Sequence, residues 1–228
     1  MAQKENNYYK QHDRLYLSVD CIVCGLNEGN LKLLLIQRDF EPHKGEWSLV
    51  GGFVNYDESV DNAAQRILKN LTGLDGVYMH QIGTFGEVER DPGERVVSVA
   101  YSALLNFPDI DHEILKAHNA HWVDFNNIPS LCLDHNEMIK KAIKKIQTKF
   151  RTEPIAFRLL PQRFTLTQLQ QLYETLLGVK IDKRNFRRRA LENSCIVCTD
   201  LVDKENSRRG ARLYEFSSDA AGVESFKM

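Results

Sequence analysis

The sequence predicts an α+β chain in two domains: an N-terminal α/β/α sandwich around a mixed sheet, residues 1–150, and a C-terminal helix–helix–hairpin unit, residues 151–228. Three observations predict it. Residues 14–150 interleave β-branched, alternating runs with segments of helical period. Charge divides along the chain: residues 1–150 carry 16 Lys and Arg against 21 Asp and Glu, and residues 151–216 carry 13 against 8. Such opposite balances, hidden in a net charge of −1, point to two domains with different partners. Thr152-Glu153-Pro154 then breaks the helical pattern between them.

In chain order, Leu15 to Cys24 alternates and reads as a strand, Leu26 to Asn30 as a turn, and Leu31 to Gln37 as a second, apolar strand. Residues 41–46 form a loop, and Trp47-Ser48-Leu49 is a short strand entering Gly51-Gly52, a pair expected to allow a tight loop. Asp57 or Ser59 caps the next helix and Gly73 stops it; Val60, Ala63, Ala64, Ile67, Leu68 and Leu71 form its buried face. Tyr78 to Phe85, Val96 to Leu105 and His121 to Val123 are strands, with a polar loop from Gly86 to Arg95. His112, His118 and His121 stand in a polar stretch. His135 to Phe150 is a helix. Beyond the boundary, Pro154 and Pro161 bracket a short helix over 155–160. Thr165 and Gln168 form a capping box for a helix from Leu166 to Leu177, which Gly178 ends. Asp182 caps a basic helix, Lys183 to Leu191; Cys195 to Thr199 and Arg208 to Phe216 are strands around a polar turn.

Hydrophobic residues at 43% and charged residues at 27% place the chain among ordinary soluble globular proteins. No apolar run is long enough for a membrane span and the N-terminus lacks a signal core, so the cytoplasm is the expected location. Five cysteines without a secretion signal imply free thiols. Cys21-Ile22-Val23-Cys24 recurs as Cys195-Ile196-Val197-Cys198, a spacing zinc sites use. Both pairs sit in extended runs, where positions i and i+3 point to opposite faces, so no zinc and no other cofactor is expected.

Gly52, Glu58, Arg66, Leu68, Gly73 and Leu74 resemble the Nudix box, in which Gly, Glu and Arg are spaced before a glutamate-rich helix. The resemblance extends through Leu34 to Arg38, Gly45 to Leu49 and Arg90 to Tyr101, covering about 14–148, and implies the Nudix sandwich. Ile67, Asn70 and Leu71 stand where the family has the glutamates that hold its divalent metal, and Val50 where many relatives have proline. Magnesium needs carboxylate oxygens, so two aliphatics and an amide imply a box that keeps its scaffold without its hydrolysis. Arg66 is then free to pair with Glu58. Glu87, Glu89, Asp91 and Glu94 offer an alternative metal set, a solvated loop, or groups for sugar hydroxyls.

Helix, helix and basic hairpin give the layout of a winged helix. With Leu159-Leu160-Pro161, Phe164-Thr165-Leu166 and Arg184-Asn185-Phe186-Arg187-Arg188, the whole chain resembles the Nudix-related transcriptional regulators of the NrtR and AraR types. The expected fold is thus a Nudix-like domain followed by a winged helix-turn-helix domain. Arg184, Arg188 and Asn185 suit base edges, Lys183 and Arg187 suit phosphates, and Arg208, Arg209 and Arg212 suit a hairpin that enters the minor groove or clamps the backbone. The resemblance implies a homodimer on a two-fold symmetric, double-stranded operator. Candidate residues for the small-molecule effector are Arg38, Asp39, His43, Lys44, Glu46, Trp47, Glu87 and Glu89, with no catalytic residue among them. Loss of the three glutamates favours a sugar effector such as L-arabinose, in the AraR branch, over ADP-ribose. The alternatives are an active hydrolase of compounds such as ADP-ribose with an accessory nucleic-acid-binding domain, and an RNA- or protein-interaction module.

Overall fold

The computed structural model describes residues 8–27, 30–106, 112–152, 159–204 and 210–217. β1 (Tyr16–Asn27) runs through the middle of a seven-stranded sheet. β2 (Asn30–Gln37) folds back antiparallel to it. β3 (Trp47–Ser48) pairs with the end of β2, and β4 (Val50–Phe53) with the start of β1. After α1 (Val60–Thr72), β5 (Met79–Phe85) turns antiparallel into β6 (Val96–Asn106). β6 lies parallel to β1 from Tyr16↔Val96 to Leu26↔Asn106, which makes the sheet mixed, as expected. A helix of six residues, α2 (His112–Ala117), follows in the stretch expected to be merely polar; Leu115, at 1% exposed, is its one strongly buried anchor among the described side chains. β7 (Ala120–Asp124) then pairs with β2.

Helices cover both faces of the sheet, so β1 is apolar on both. Val19, Cys21 and Val23 pack with Ala63, Ala64, Ile67 and Leu68 of α1. Ile22, Cys24 and Leu26 pack with Met138, Ile139, Ala142 and Ile146 of α3 (His135–Thr152) on the other face. Cys21 and Cys24 therefore fall on opposite faces, as their spacing requires. Burial pushes the Cys24 thiol up to about 12, so it is an inert core group.

α1 forms where its caps dictate. Ser59 Oγ accepts from the Asn62 amide at 3.2 Å, and Gly73, at φ +75°, ends the helix. The two glycines before it correct the expectation of a tight loop. Gly51 and Gly52 lie within β4, opposite Asp20 and Val19 of β1. A Cβ on Gly51 would sit 2.1 Å from Asp20 Oδ1, and one on Gly52 would sit 3.2 Å from Ile67 Cδ1. What these positions need from glycine is close approach to a strand and a helix.

The C-terminal unit comprises α4 (Leu166–Leu177), α5 (Lys183–Glu192), and the hairpin β8 (Ile196–Asp203) with β9 (Ala211–Phe216). The expected helix over 155–160 lies outside the described residues except for Leu159 and Leu160, both buried in the turn toward α4. β8 runs to Asp203, four residues past the expected end at Thr199, across an irregularity between Cys198 and Val202. Asp200, Leu201 and Val202 there are exposed, so the extension is held by backbone pairing rather than by a buried face. Phe164 exchanges two backbone hydrogen bonds with Tyr214, at 2.8 and 2.9 Å, tying the wing to the start of α4. This unit shares one continuous core with the α3 face of the sandwich.

Candidate effector cleft and nucleic-acid interface

A cleft of about 120 Å³ lies where the starts of β1 and β6, the end of β2 and β4 meet the loop between β5 and β6 and the start of α3. Arg38, Phe40, Phe53 and Leu133 line it, above a polar floor of Ser18, Asp20, Ser48, Arg90 and His135. The floor is a buried network. Arg90, 7% exposed, donates to both carboxylate oxygens of Asp134 at 3.1 and 2.7 Å, and stands 3.7 Å from Asp20. Ser98 Oγ donates to Asp20 Oδ2 at 2.5 Å, and His135 Nε2 lies 3.4 Å from Asp20 Oδ1. Burial alone would raise the Asp20 pKa, but His135, Ser98 and Arg90 together hold it below its ordinary value.

Two influences oppose each other on the His135 ring. Burial disfavours its charge, and the Asp20 carboxylate outweighs burial and raises its pKa. The Leu49 amide, however, donates to Nδ1 at 3.2 Å, which requires an unprotonated nitrogen there. We assign the proton to Nε2, facing Asp20, because that tautomer satisfies both contacts. Ser48 Oγ is 3.4 Å from the same Nδ1 but donates to the Leu49 carbonyl at 2.8 Å, so its hydroxyl is directed into the backbone.

The box residues do something else. Arg66 Nε and Nη2 donate to Glu58 at 2.8 and 2.5 Å, and Nη2 also reaches the Phe53 carbonyl at 3.0 Å. The Asn55 amide donates to Glu58 at 2.7 Å. The Arg66 hydrogen bond first, and the Asn55 amide second, hold the Glu58 carboxyl at about 2. This pair staples the loop between β4 and α1. Ile67 is 4% exposed and packs on Gly52; Asn70 is exposed and Leu71 half-buried. These side chains do not fit the divalent metal the box implies. Among the described residues, no group of three or more His, Cys, Asp or Glu is placed to hold one.

Of the eight residues expected around an effector, Arg38 lines the cleft. Its guanidinium lies 4.2 Å from the centre of the Phe40 ring, and its Nε donates to the Pro42 carbonyl at 2.9 Å. Asp39, His43, Lys44 and Glu46 sit in the loop between β2 and β3, where His43 Nδ1 lies 3.1 Å from Glu46 Oε1 and His43 Nε2 is buried without a partner among the described residues. Trp47 is a packing residue: it meets His121 edge-on at 5.5 Å and leans on the core. Glu87 and Glu89 are exposed on the loop between β5 and β6, outside the cleft lining; the residues of that loop that line the cleft are Arg90 and Asp91. Asp20, Arg90, Asp134, His135, Phe40 and Phe53 were the residues sequence reasoning missed. One signal was present in Asp20 and Ser98, polar residues inside apolar strand runs.

The other surface is basic. Phe186 and Ala190 bury one face of α5, and Lys183, Arg184, Asn185, Arg187 and Arg188 are all exposed, as is Arg189. Arg212 is exposed on β9; Arg208 and Arg209 lie outside the described residues. Gly210, at φ +73°, stands where a Cβ would meet Val202 at 2.6 Å, so the wing requires glycine there.

Comparison with known proteins agrees with both halves. The NUDIX domain model matches residues 15–145, and the NrtR DNA-binding winged helix domain model matches residues 156–216. The chain is 36% identical over 205 residues to the ADPR responsive transcriptional repressor NtrR of Acinetobacter baylyi, covering 88% of this chain and 82% of that one. The chain belongs to the NrtR-type Nudix-related transcriptional regulators. The matching winged-helix model is that of NrtR, which replaces the expected placement in the AraR branch. Shewanella oneidensis NrtR complexed with a 27mer DNA superposes with a TM-score of 0.79 at 30% identity, covering 92% of this chain and 98% of that one. The NUDIX domain of the same protein, complexed with ADP ribose, superposes at 0.56 with 28% identity, covering 64% and 99%. The ADP-ribose pyrophosphatase of Methanocaldococcus jannaschii is 37% identical over 131 residues, 56% of this chain and 75% of that one. The architecture is therefore a Nudix domain joined to an NrtR-type winged-helix domain, and among the described residues no helix is long and apolar enough to cross a membrane.

Proposed function

We propose that this NrtR-type regulator is a transcriptional repressor, acting as a homodimer, whose cleft binds ADP-ribose or a close nucleotide analogue without cutting it. The carrying observation is the cleft itself. Its wall offers a guanidinium, Arg38, stacked on the Phe40 ring, and a second ring, Phe53; both rings are about half exposed. Arginine suits a diphosphate, aromatic rings suit a base, and the Asp91 carboxylate suits ribose hydroxyls. A free pentose carries neither a diphosphate nor a base for the first two to match. The names of the Acinetobacter and Shewanella relatives point the same way.

The cleft is read as non-catalytic because Ile67 and Leu71 cannot ligate a metal and Arg66 is committed to Glu58. The hydrolase reading draws support from the Methanocaldococcus relative. One experiment separates them: titrate the purified protein with ADP-ribose by calorimetry, with magnesium or manganese present, then analyse the nucleotide. Saturable binding with the nucleotide recovered intact is expected. Conversion to AMP would establish the hydrolase, and heat from L-arabinose alone would establish the sugar sensor.

A further inference from the structure

We infer that α3 couples the cleft to the DNA-reading helix through the aromatic series Phe150, Tyr173 and Phe186. Functionally, the inference deepens the effector-controlled repressor reading and rests on it. Each end of the series is anchored. At the cleft, Arg90 binds Asp134 and His135 faces Asp20, so the first turn of α3 is held by the same buried charges that form the floor. Leu133, which lines the cleft just before α3, has φ +55°, a left-handed conformation rarely held by a branched residue and one that clusters at switch regions. At the far end of the helix, Phe150 is 1% exposed and packs on Tyr173 of α4 at 4.4 Å. Tyr173 meets Phe186 of α5 edge-on at 5.8 Å, and Phe186 is the buried anchor opposite the exposed arginines. Gln147 adds a hydrogen bond from α3 to the Leu176 carbonyl near the end of α4, at 2.8 Å.

A helix is stiff along its axis, and packed rings transmit displacement because cores have discrete rather than continuous arrangements. A ligand that shifts Arg90 or Leu133 therefore moves the seat of Phe186. Coupling is reciprocal, so DNA held by α5 must in turn alter the cleft.

Reciprocity supplies a test that needs no effector. Hydrogen–deuterium exchange is measured on the full chain, free and saturated with a duplex selected from a random pool by this protein. The segments read are 47–54, 88–96 and 131–138, remote from the DNA-reading helix. Wild type is expected to change exchange in these segments when DNA binds. Phe150→Leu is expected to bind the duplex and lose the change; Gln147→Ala, which spares the core, is expected to diminish it. Cleft segments indifferent to DNA in the wild type, or a change undiminished in Gln147→Ala, would overturn the inference. ADP-ribose is absent throughout, so a failure of the ADP-ribose reading registers only in the calorimetry.

Discussion

Ile67 stands at a metal-ligand position of the Nudix pattern, and its side chain is packed between α1 and Gly52. Replacing it by glutamate would bury a carboxyl with no partner, so Ile67→Glu is expected to cost on the order of 3 kcal/mol in denaturant unfolding. Magnesium is expected not to recover that loss, because one carboxylate beside Asn70 and Leu71 is no metal site. Arg90 is the buried charge that pairs with Asp134 and stands beside Asp20, and Arg90→Met is expected to cost about 3–5 kcal/mol by the same measurement. Glu58 makes a pH prediction. Its folded pKa is depressed to about 2, so its contribution is present above the unfolded carboxylate range and is lost as pH falls toward 2. Glu58→Gln should therefore melt below wild type at neutral pH, with the gap closing in acid; a gap constant with pH would refute the assignment. This floor was hidden in the sequence for a physical reason. Asp20, Arg90, Ser98 and His135 lie on separate segments, and only the pairing of β1 with β6 and the docking of α3 bring them together.

Helices α1, α4 and α5 were legible because their boundaries are set locally. Ser59, Thr165 and Asp182 cap their starts and Gly73 and Gly178 end the first two, all within hydrogen-bond reach of the helix itself. α2 was not legible, since six residues with one clearly buried leucine leave no periodic signal. The continuation of β8 to Asp203 was equally hidden, because an exposed hairpin is paired by backbone and tolerates polar side chains. The exposed face of α5 carries its own prediction. Lys183→Ala should weaken DNA binding evenly across sequences and reduce the salt slope by about 1, whereas Arg184→Ala should relax base preference at about 1–3 kcal/mol. Binding titrations at several salt concentrations, on the selected duplex and on random DNA, distinguish the two; identical behaviour would place both on phosphates.

Across the whole molecule, an acidic sandwich and a basic winged unit are joined by a shared core, and the proposed function divides ligand binding and DNA binding between them. The presence of two domains was readable from charge and motif, whereas the continuity of the core was not, because α3 runs past residue 150 to Thr152 and packs on α4. The branch was misread for a related reason. The three missing glutamates bear on the metal alone, and a diphosphate can be held by arginine without one. The central claim is that nucleotide in the cleft controls DNA affinity. Its direct measurement is fluorescence anisotropy of the selected duplex with and without saturating ADP-ribose. The expected result is an affinity lowered at least about fivefold, within the usual range of allosteric coupling. An affinity unchanged by ADP-ribose, or one changed by L-arabinose instead, would contradict it.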